Sequence, residues 1–333
     1  MTPSCIAFTD RGKALADALV SALGGVAARC GEPMRLKEWT AAHFQTGNAL
    51  VFVGAAGIAV RAVAPYLRDK TTDPAVVVVD EGGRFAIPIL SGHLGGANDL
   101  ARSIAKVCGA IPVVTTATDI NGVFAVDEWA KRQNCAILDP DKIRIISRRL
   151  LAGDTVRVCS DWPIQGDPPA GVTVTKDKDC DICLSVHRTE ENETTLRLVP
   201  RIAVLGVGCK RETDRETIEA ALTAALDSSG LCPEAICGAA TIDLKKDEPG
   251  LLAFCAAHDW PLTVCTAEQL RQTAGEFSHS DFVEQVTGVD NVCERAAVLA
   301  AGGPLFWKKH SDNGVTLAVA LRPYRPTWRW RDE

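Results

Sequence analysis

The sequence predicts an α/β protein: two open, mostly parallel-sheet α/β domains joined by a small β-containing middle segment. Three observations carry this reading. The run AVVVVD at 75–80 shows no polar alternation, so both its faces should be buried, as in a parallel sheet. Short apolar runs alternate with helical periodicity from Ser4 onward and again from Ile202. Between about 154 and 199 the texture changes to short β-like runs (TVRVCS, GVTVTK, CDICLSVH and TLRLVPR) split by DWPIQGDPPAG and RTEENET.

In order, SCIAFT reads as a strand, RGKALADALVSALG as a helix, ALVFVG as a strand and AGIAVRAVAPYL as a helix. AVVVVD and RFAIPIL are strands joined through EGG. GGANDLARSIAKVCG is a helix whose Gly109 suits a left-handed C-terminal cap. IPVVTT closes the series, and the helical stretches FAVDEWAKRQN and DPDKIRIISRRLLAG lead out of it. The second unit begins with strand IAVLGVGC and helix DRETIEAALTAALDSSG, where Thr213 and Glu216 match a capping box. Strand CGAATID, helix EPGLLAFCAAHD, strand PLTVC and a helix capped by Thr266 and Gln269 follow. Helix VCERAAVLAAGG then leads to a strand pair around SDNG. The expected domains are 1–132, 133–199 and 200–326, with a surface tail at 327–333 whose Trp residues pack back.

The 333 residues suit two or three domains, and 47% hydrophobic content is ample for their cores. A net charge of −6 argues against non-specific nucleic-acid binding. No apolar run reaches the ~18 residues of a membrane span, and the first residues read as a strand and a helix, not a signal peptide. Thirteen Cys, mostly inside apolar segments, fit a reducing cytoplasmic compartment. The CDIC pair, Cys180 and Cys183, reads as part of a strand with its thiols on opposite faces, which disfavours a metal or redox site.

In an open α/β sheet ligands bind where strands give way to helices. Ser91, Gly92, His93, Gly95, Gly96, Asn98 and Asp99 bring together a hydroxyl, an imidazole, backbone amides and a carboxylate, the parts of general-base hydrolysis. No GxSxG elbow is present. Thr115, Thr116 and Asp119 end a neighbouring strand, and Lys70, Thr71 and Thr72 lie in a polar loop; each equally suits a plain turn. Gly206, Gly208, Cys209, Lys210 and Arg211 precede a helix, so the junction reads either as an anion site or as a tight turn. The position of a third fingerprint glycine is Glu212, which disfavours NAD. Lys245, Lys246 and Glu248 crowd charge before Pro249, as a functional loop would. No phosphate loop occurs.

The segments GAAGIAVRAVAPYLRDKTTDPAVVVVDEGGRFAIPILSGHLGGANDLA, TTATDINGVFAVD, LGVGCKRETD, TIDLKKDEPGLL and SDFVEQVTGVDNVCERAAVLAAGG closely resemble the CbiG family of anaerobic cobalamin biosynthesis. The resemblance runs nearly end to end, and the C-terminal domain is similar to the CobE proteins. It implies a cobalt-precorrin-5A hydrolase. Water opens a δ-lactone on a ring-contracted cobalt tetrapyrrole, and acetaldehyde is then expelled to give cobalt-precorrin-5B. It implies no cofactor, because cobalt arrives with the anionic substrate. It leaves open a homodimer and contacts with other enzymes of the pathway. On this reading His93 activates water or the freed hydroxyl, Asp99 or Asp119 orients it with Ser91 at hand, and amides of Gly92, Gly95 and Gly96 hold the oxyanion. Lys245, Lys246, Lys210 and Arg211 hold carboxylates, and the two domains face one substrate. Cys209 and His93 are candidates for an axial cobalt ligand. A non-catalytic tetrapyrrole carrier and a nucleotide-binding regulator are the alternatives.

Overall fold

The computed structural model describes residues 2–31, 34–69, 72–93, 95–177, 179–188 and 193–331. Two compact units emerge, 1–128 with 147–154 and 129–146 with 155–333. The first carries β1 (Pro3–Ala7), α1 (Asp10–Leu23), β2 (Val26–Arg29), α2 (Leu36–His43), β3 (Ala49–Val53) and α3 (Ala56–Val63). It continues with β4 (Ala75–Val79), β5 (Phe85–Leu90), α4 (Ala97–Cys108), β6 (Ile111–Pro112) and α5 (Ala117–Asn121). The sheet order is β2-β1-β3-β4-β5-β6, parallel throughout except at the β4–β5 hairpin.

Strict alternation divides this sheet into two cores. Cys5, Ala7, Val51, Val53, Val77 and Val79 face α1 and α4. Ile6, Leu50, Phe52, Val76 and Val78 face Trp39 of α2 and Ala59 and Val63 of α3. Helix α4 buries Ala97, Leu100, Ala101 and Ile104, one stripe at helical spacing. Its C-cap is Gly109 at φ 74, as expected. Strand β2 and helix α2 carry too little periodicity to be read from sequence.

Helices α6 (Val126–Arg132) and α7 (Lys142–Leu151) span the unit boundaries. The second unit contains two five-stranded sheets. The middle one is built from β7 (Cys135–Ile137), β8 (Val156–Ser160), β9 (Val172–Val174), β10 (Ile182–Leu184) and β11 (Leu196–Pro200) in the order β7-β11-β10-β8-β9. All its pairs are parallel except β7 with β11. Strand β10 starts only at Ile182, so Cys180 lies outside it and is not held to strand alternation. The Cys180 and Cys183 thiols are near enough to shift each other's pKa, Cys180 downward and Cys183 upward, so they do not face apart.

The last sheet comes from β12 (Ala203–Cys209), α8 (Arg215–Ser229), β13 (Ile236–Ile242), α9 (Pro249–Ala257), β14 (Leu262–Cys265), α10 (Ala267–Gln272), α11 (Asp281–Thr287), α12 (Cys293–Ala301), β15 (Leu305–Asp312) and β16 (Val315–Leu321). Its order is β14-β13-β12-β16-β15, with β12 to β14 parallel and β15 and β16 antiparallel. Ala136 and Val199 from the middle sheet, with Val186 just beyond β10, join Leu205, Val207 and Leu317 in one core. Trp328 of the tail stacks on Trp129 at 5.3 Å. Thr266 and Gln269 form the expected capping box. At α8 the cap is instead Asp214, whose carboxylate accepts from the Thr217 N–H, while the Thr213 hydroxyl donates to the Lys210 carbonyl.

Gly206 is a packing glycine. A Cβ there would stand 1.8 Å from the Cys293 carbonyl oxygen and 2.9 Å from Ala297 Cβ. Gly206→Ala should therefore cost about 2 kcal/mol or more through overpacking, read as a lower urea midpoint.

Candidate functional site

The first site is built on the loop between β5 and α4. Ser91 takes φ 54 and Gly96 φ 82. A Cβ on Gly95 would fall 2.3 Å from Ser91 Cβ, and one on Gly92 2.8 Å from Asn98 Oδ1. Only glycine lets the loop close this tightly. The closure is fixed by N–H donation from Gly96 to the His93 carbonyl, from Ala97 to Ser91 and from Asn98 to Gly92. His93 is thereby presented to α5 and to the start of α6.

Both imidazole nitrogens meet carboxylates. Nε2 lies 2.9 Å from Asp119 Oδ2 and 3.8 Å from Glu128 Oε1, and Nδ1 lies 3.1 Å from Asp127 Oδ2. A ring with acceptors at both nitrogens carries both protons. Burial works to lower the His93 pKa, but the hydrogen bonds to Asp119 and Asp127 raise it to about 10. Asp119 is saturated with donors: His93 and Asn98 on Oδ2, the Thr116 hydroxyl also on Oδ2, and Arg102 on Oδ1. Burial alone would raise its pKa, but the hydrogen bonds from His93 and Thr116 and the Arg102 charge hold it well below the usual carboxylate range. Glu128 is different. Its side chain is 7% exposed, and no ion pair closer than the 3.8 Å approach to His93 is seen among the described residues. Burial, only partly offset by the His93 charge, pushes its pKa up to about 7.

The second site is a cleft of about 600 Å³ in the C-terminal sheet unit. Gly208 and Cys209 end β12 at its floor with Cys293 and Thr316, and Lys210, Arg211, Lys245 and Lys309 line it. One wall is apolar: Leu244 and, from α11, Phe282, Val283 and Val286.

Three family models match in succession: Cobalamin synthesis G N-terminal over 38–119, Cobalamin biosynthesis central region over 124–200 and Cobalamin synthesis G C-terminus over 203–320. A cobalt-precorrin-5A hydrolase from Salmonella typhimurium is 36% identical over 292 residues, 84% of this chain and 83% of that protein. The chain belongs to the CbiG family. A second relative of that name, from Priestia megaterium, is 32% identical over 302 residues, 84% of this chain and 80% of its own length. A crystal structure of a cobalamin biosynthesis protein G homolog from Sulfolobus solfataricus is 22% identical with a TM-score of 0.41, covering 96% of this chain and 97% of that one.

Within this CbiG chain the structure revises several expected roles. His93 is a doubly bound imidazolium, so it is not a neutral base, and neither nitrogen has a free lone pair for cobalt. Ser91 is turned away from it; its hydroxyl donates to the Asp73 carbonyl at 2.9 Å. Asp99 pairs with Arg102 at 3.1 Å and makes no bond to His93; Asp119 and Asp127 orient the ring. The Gly96 N–H is held by the His93 carbonyl and is not an oxyanion donor. Asn98 and Thr116 support Asp119, while Thr115 and Thr72 are exposed. Lys70 and Thr71 lie outside the described residues.

In the second unit the structure gathers Gly208, Cys209, Lys210, Arg211 and Lys245 at one cleft. Gly206 is not among them, because it is pressed against Cys293. Glu248 holds Lys245 at 3.1 Å and accepts from the Glu212 N–H, so it fixes the loop and does not face the cleft. Lys246 is exposed and does not line it. The α8 N-terminus is occupied by Asp214, not open to an anion. Sequence reasoning missed Asp127 and Glu128, which sit in VFAVDEWA and read as an ordinary acidic first helical turn. It also missed Lys309 and the apolar face of α11.

One ligand atom each from His93, Asp119 and Glu128 lies within 4.8 Å of the others, a donor set that resembles a metal site in type. It does not fit in practice, because both Asp119 oxygens and both His93 nitrogens are already engaged. The arrangement is a fixed cation beside one carboxyl group that can exchange its proton.

Proposed function

We propose that this chain is a cobalt-precorrin-5A hydrolase whose proton-transfer group is Glu128. The observation that carries the reading is the His93 imidazolium clamped between Asp119 and Asp127, with Glu128 beside it. A carboxyl group with a pKa near 7 suits general-base work at neutral pH. Ionised Glu128 takes a proton from water as the water oxygen bonds to the lactone carbonyl carbon. The carbonyl electron pair moves onto oxygen, and the His93 and Arg102 charges stabilise it. Collapse breaks the ring C–O bond, and the departing oxygen takes a proton to leave a hydroxyl. In the second stage that hydroxyl gives its proton to a carboxylate and its C–O bond becomes C=O. The adjoining C–C bond breaks, acetaldehyde leaves, and the electron pair enters the conjugated macrocycle.

Water and the substrate's own π-system close this balance, so no oxidant or nucleotide is needed. We propose no resident metal: chelation with EDTA should leave the rate of acetaldehyde release unchanged, and loss of activity restored by a divalent cation would overturn that. The thirteen cysteines are all free thiols, which supports a reducing cytoplasmic setting. No helix among the described residues is long and apolar enough to cross a membrane.

The direct test is incubation with the lactone intermediate, with acetaldehyde trapped by NADH-dependent reduction. Stoichiometric acetaldehyde is expected. Tight spectral binding of the intermediate with no acetaldehyde would make the protein a carrier.

A further inference from the structure

The C-terminal cleft has a composition at odds with the rest of the chain. The sequence holds 42 acidic against 36 basic residues, yet the charged side chains lining the cleft are Lys210, Arg211, Lys245 and Lys309, with no carboxylate among them. Lys245 is paired with Glu248. Lys210, Arg211 and Lys309 have no ion-pair partner among the described residues. Three of the four most exposed large apolar side chains described, Phe282 at 74%, Val286 at 62% and Leu244 at 61%, line this same cleft. Scattered exposed apolar residues need no explanation, but a contiguous patch rimmed by charge marks a binding surface.

Phe282 and Val286 are four apart on α11, so they present one face of the helix. Among the described residues none covers that face, and both side chains stand more than half exposed. An apolar wall beside a purely cationic rim is complementary to a ligand with the opposite pairing: a flat hydrophobic body edged by carboxylates. A small sugar or a simple anion would leave the wall wet. A neutral lipid would leave three cations unmatched.

We infer that this cleft seats the tetrapyrrole macrocycle, with one ring face against Phe282, Val286 and Leu244 and peripheral carboxylates on Lys210, Arg211 and Lys309. This rests on the hydrolase reading for the identity of the ligand, but not on the His93 chemistry. Arg211 offers a planar fork for one carboxylate, and the two lysines reach others as flexible point charges. The cleft volume of about 600 Å³ accommodates part of such a macrocycle and leaves the rest outside. Substrate binding and bond breaking are thereby assigned to different residue sets.

The test uses the full-length protein and cobyrinic acid, a heptacarboxylate corrinoid, titrated by absorbance and tryptophan quenching. Its neutral heptamethyl ester serves as the charge control. Phe282→Asp alters an exposed side chain, so the fold should be retained, with circular dichroism as the check. It is expected to weaken cobyrinic acid binding about tenfold or more, as removal of one buried aromatic contact would. Lys210→Glu combined with Lys309→Glu should weaken the acid by a similar factor and leave the ester unchanged. His93→Gln should abolish acetaldehyde release while leaving the titration as in wild type. Wild-type protein that does not bind cobyrinic acid, or variants of the cleft that bind it normally, would overturn the assignment. A normal KM for the lactone in Phe282→Asp, with full turnover, would do so while sparing the hydrolase reading. Cleft-dependent binding without acetaldehyde would sink the hydrolase reading and leave the cleft standing.

Discussion

Glu128→Gln is expected to slow acetaldehyde release about 10²–10⁴-fold, the usual worth of a positioned general base. The side chain keeps its size and loses its ability to exchange a proton, so the fold should be unaffected. The pH profile gives the sharper readout. Glu128 acts in its ionised form, and its folded pKa is raised to about 7. The wild-type rate should therefore rise as pH increases through about 7. It should hold until His93, raised to about 10, loses its proton and its charge. In Glu128→Gln the lower limb should vanish. A variant that keeps wild-type speed and the limb near 7 would exclude Glu128 as the base.

Stability makes an independent prediction of known sign. A group whose folded pKa lies above its unfolded value stabilises the fold most at low pH, and that contribution fades as pH rises through the folded pKa. For Glu128 the fade falls between about 4.5 and about 7. Glutamine cannot ionise, so Glu128→Gln should unfold at a higher urea concentration than wild type above pH 7 and lose that advantage near pH 4.5. For His93 the corresponding loss runs from about 6.5 to about 10.

Asp119→Ala is expected to be the most damaging single change to the first unit. It strips a common acceptor from His93, Arg102, Asn98 and Thr116. Asn98 is 1% exposed and would lose its 3.1 Å acceptor, keeping only the 3.4 Å bond to the Thr116 hydroxyl, so its buried amide bears part of a desolvation penalty. Breaking a buried charge pair by removing one partner costs about 3–5 kcal/mol, so urea unfolding of this unit should shift by that order. The His93 pKa should fall as well, since one of its two anionic partners is gone, and the upper limb of the pH profile should move down with it. A ¹H NMR titration of the His93 ring checks this directly. Asp99→Ala provides the contrast: Asp99 is 39% exposed and its ion pair with Arg102 is a surface one, so a few tenths of a kcal/mol is expected from losing that pair.

Much of this was written in local pattern. The continuous run AVVVV became β4, buried on both faces, because an interior strand with helices on both sides of its sheet has no polar face to show, even though its pairing with β5 is antiparallel. His93 and Asp119 could be singled out because glycines and a strand end flag a loop that must close tightly. The Thr266–Gln269 box and the Gly109 cap are local interactions and were legible for that reason. Protonation states were not legible. Whether an imidazole is a base or a fixed cation depends on which carboxylates the fold brings to its two nitrogens, and Asp127 is 34 residues away in sequence.

The amino-acid order alone thus carried the α/β class, the family and the loop that presents His93, since these rest on periodicity and on motifs read in series. Tertiary structure decided the chemistry. It placed Asp119 and Asp127 on His93 and left Glu128 buried with a raised pKa. It also put Phe282 and Val286 beside Lys210 and Lys309. Proton affinity and surface complementarity arise from three-dimensional neighbours, whose identities no local stretch of chain contains.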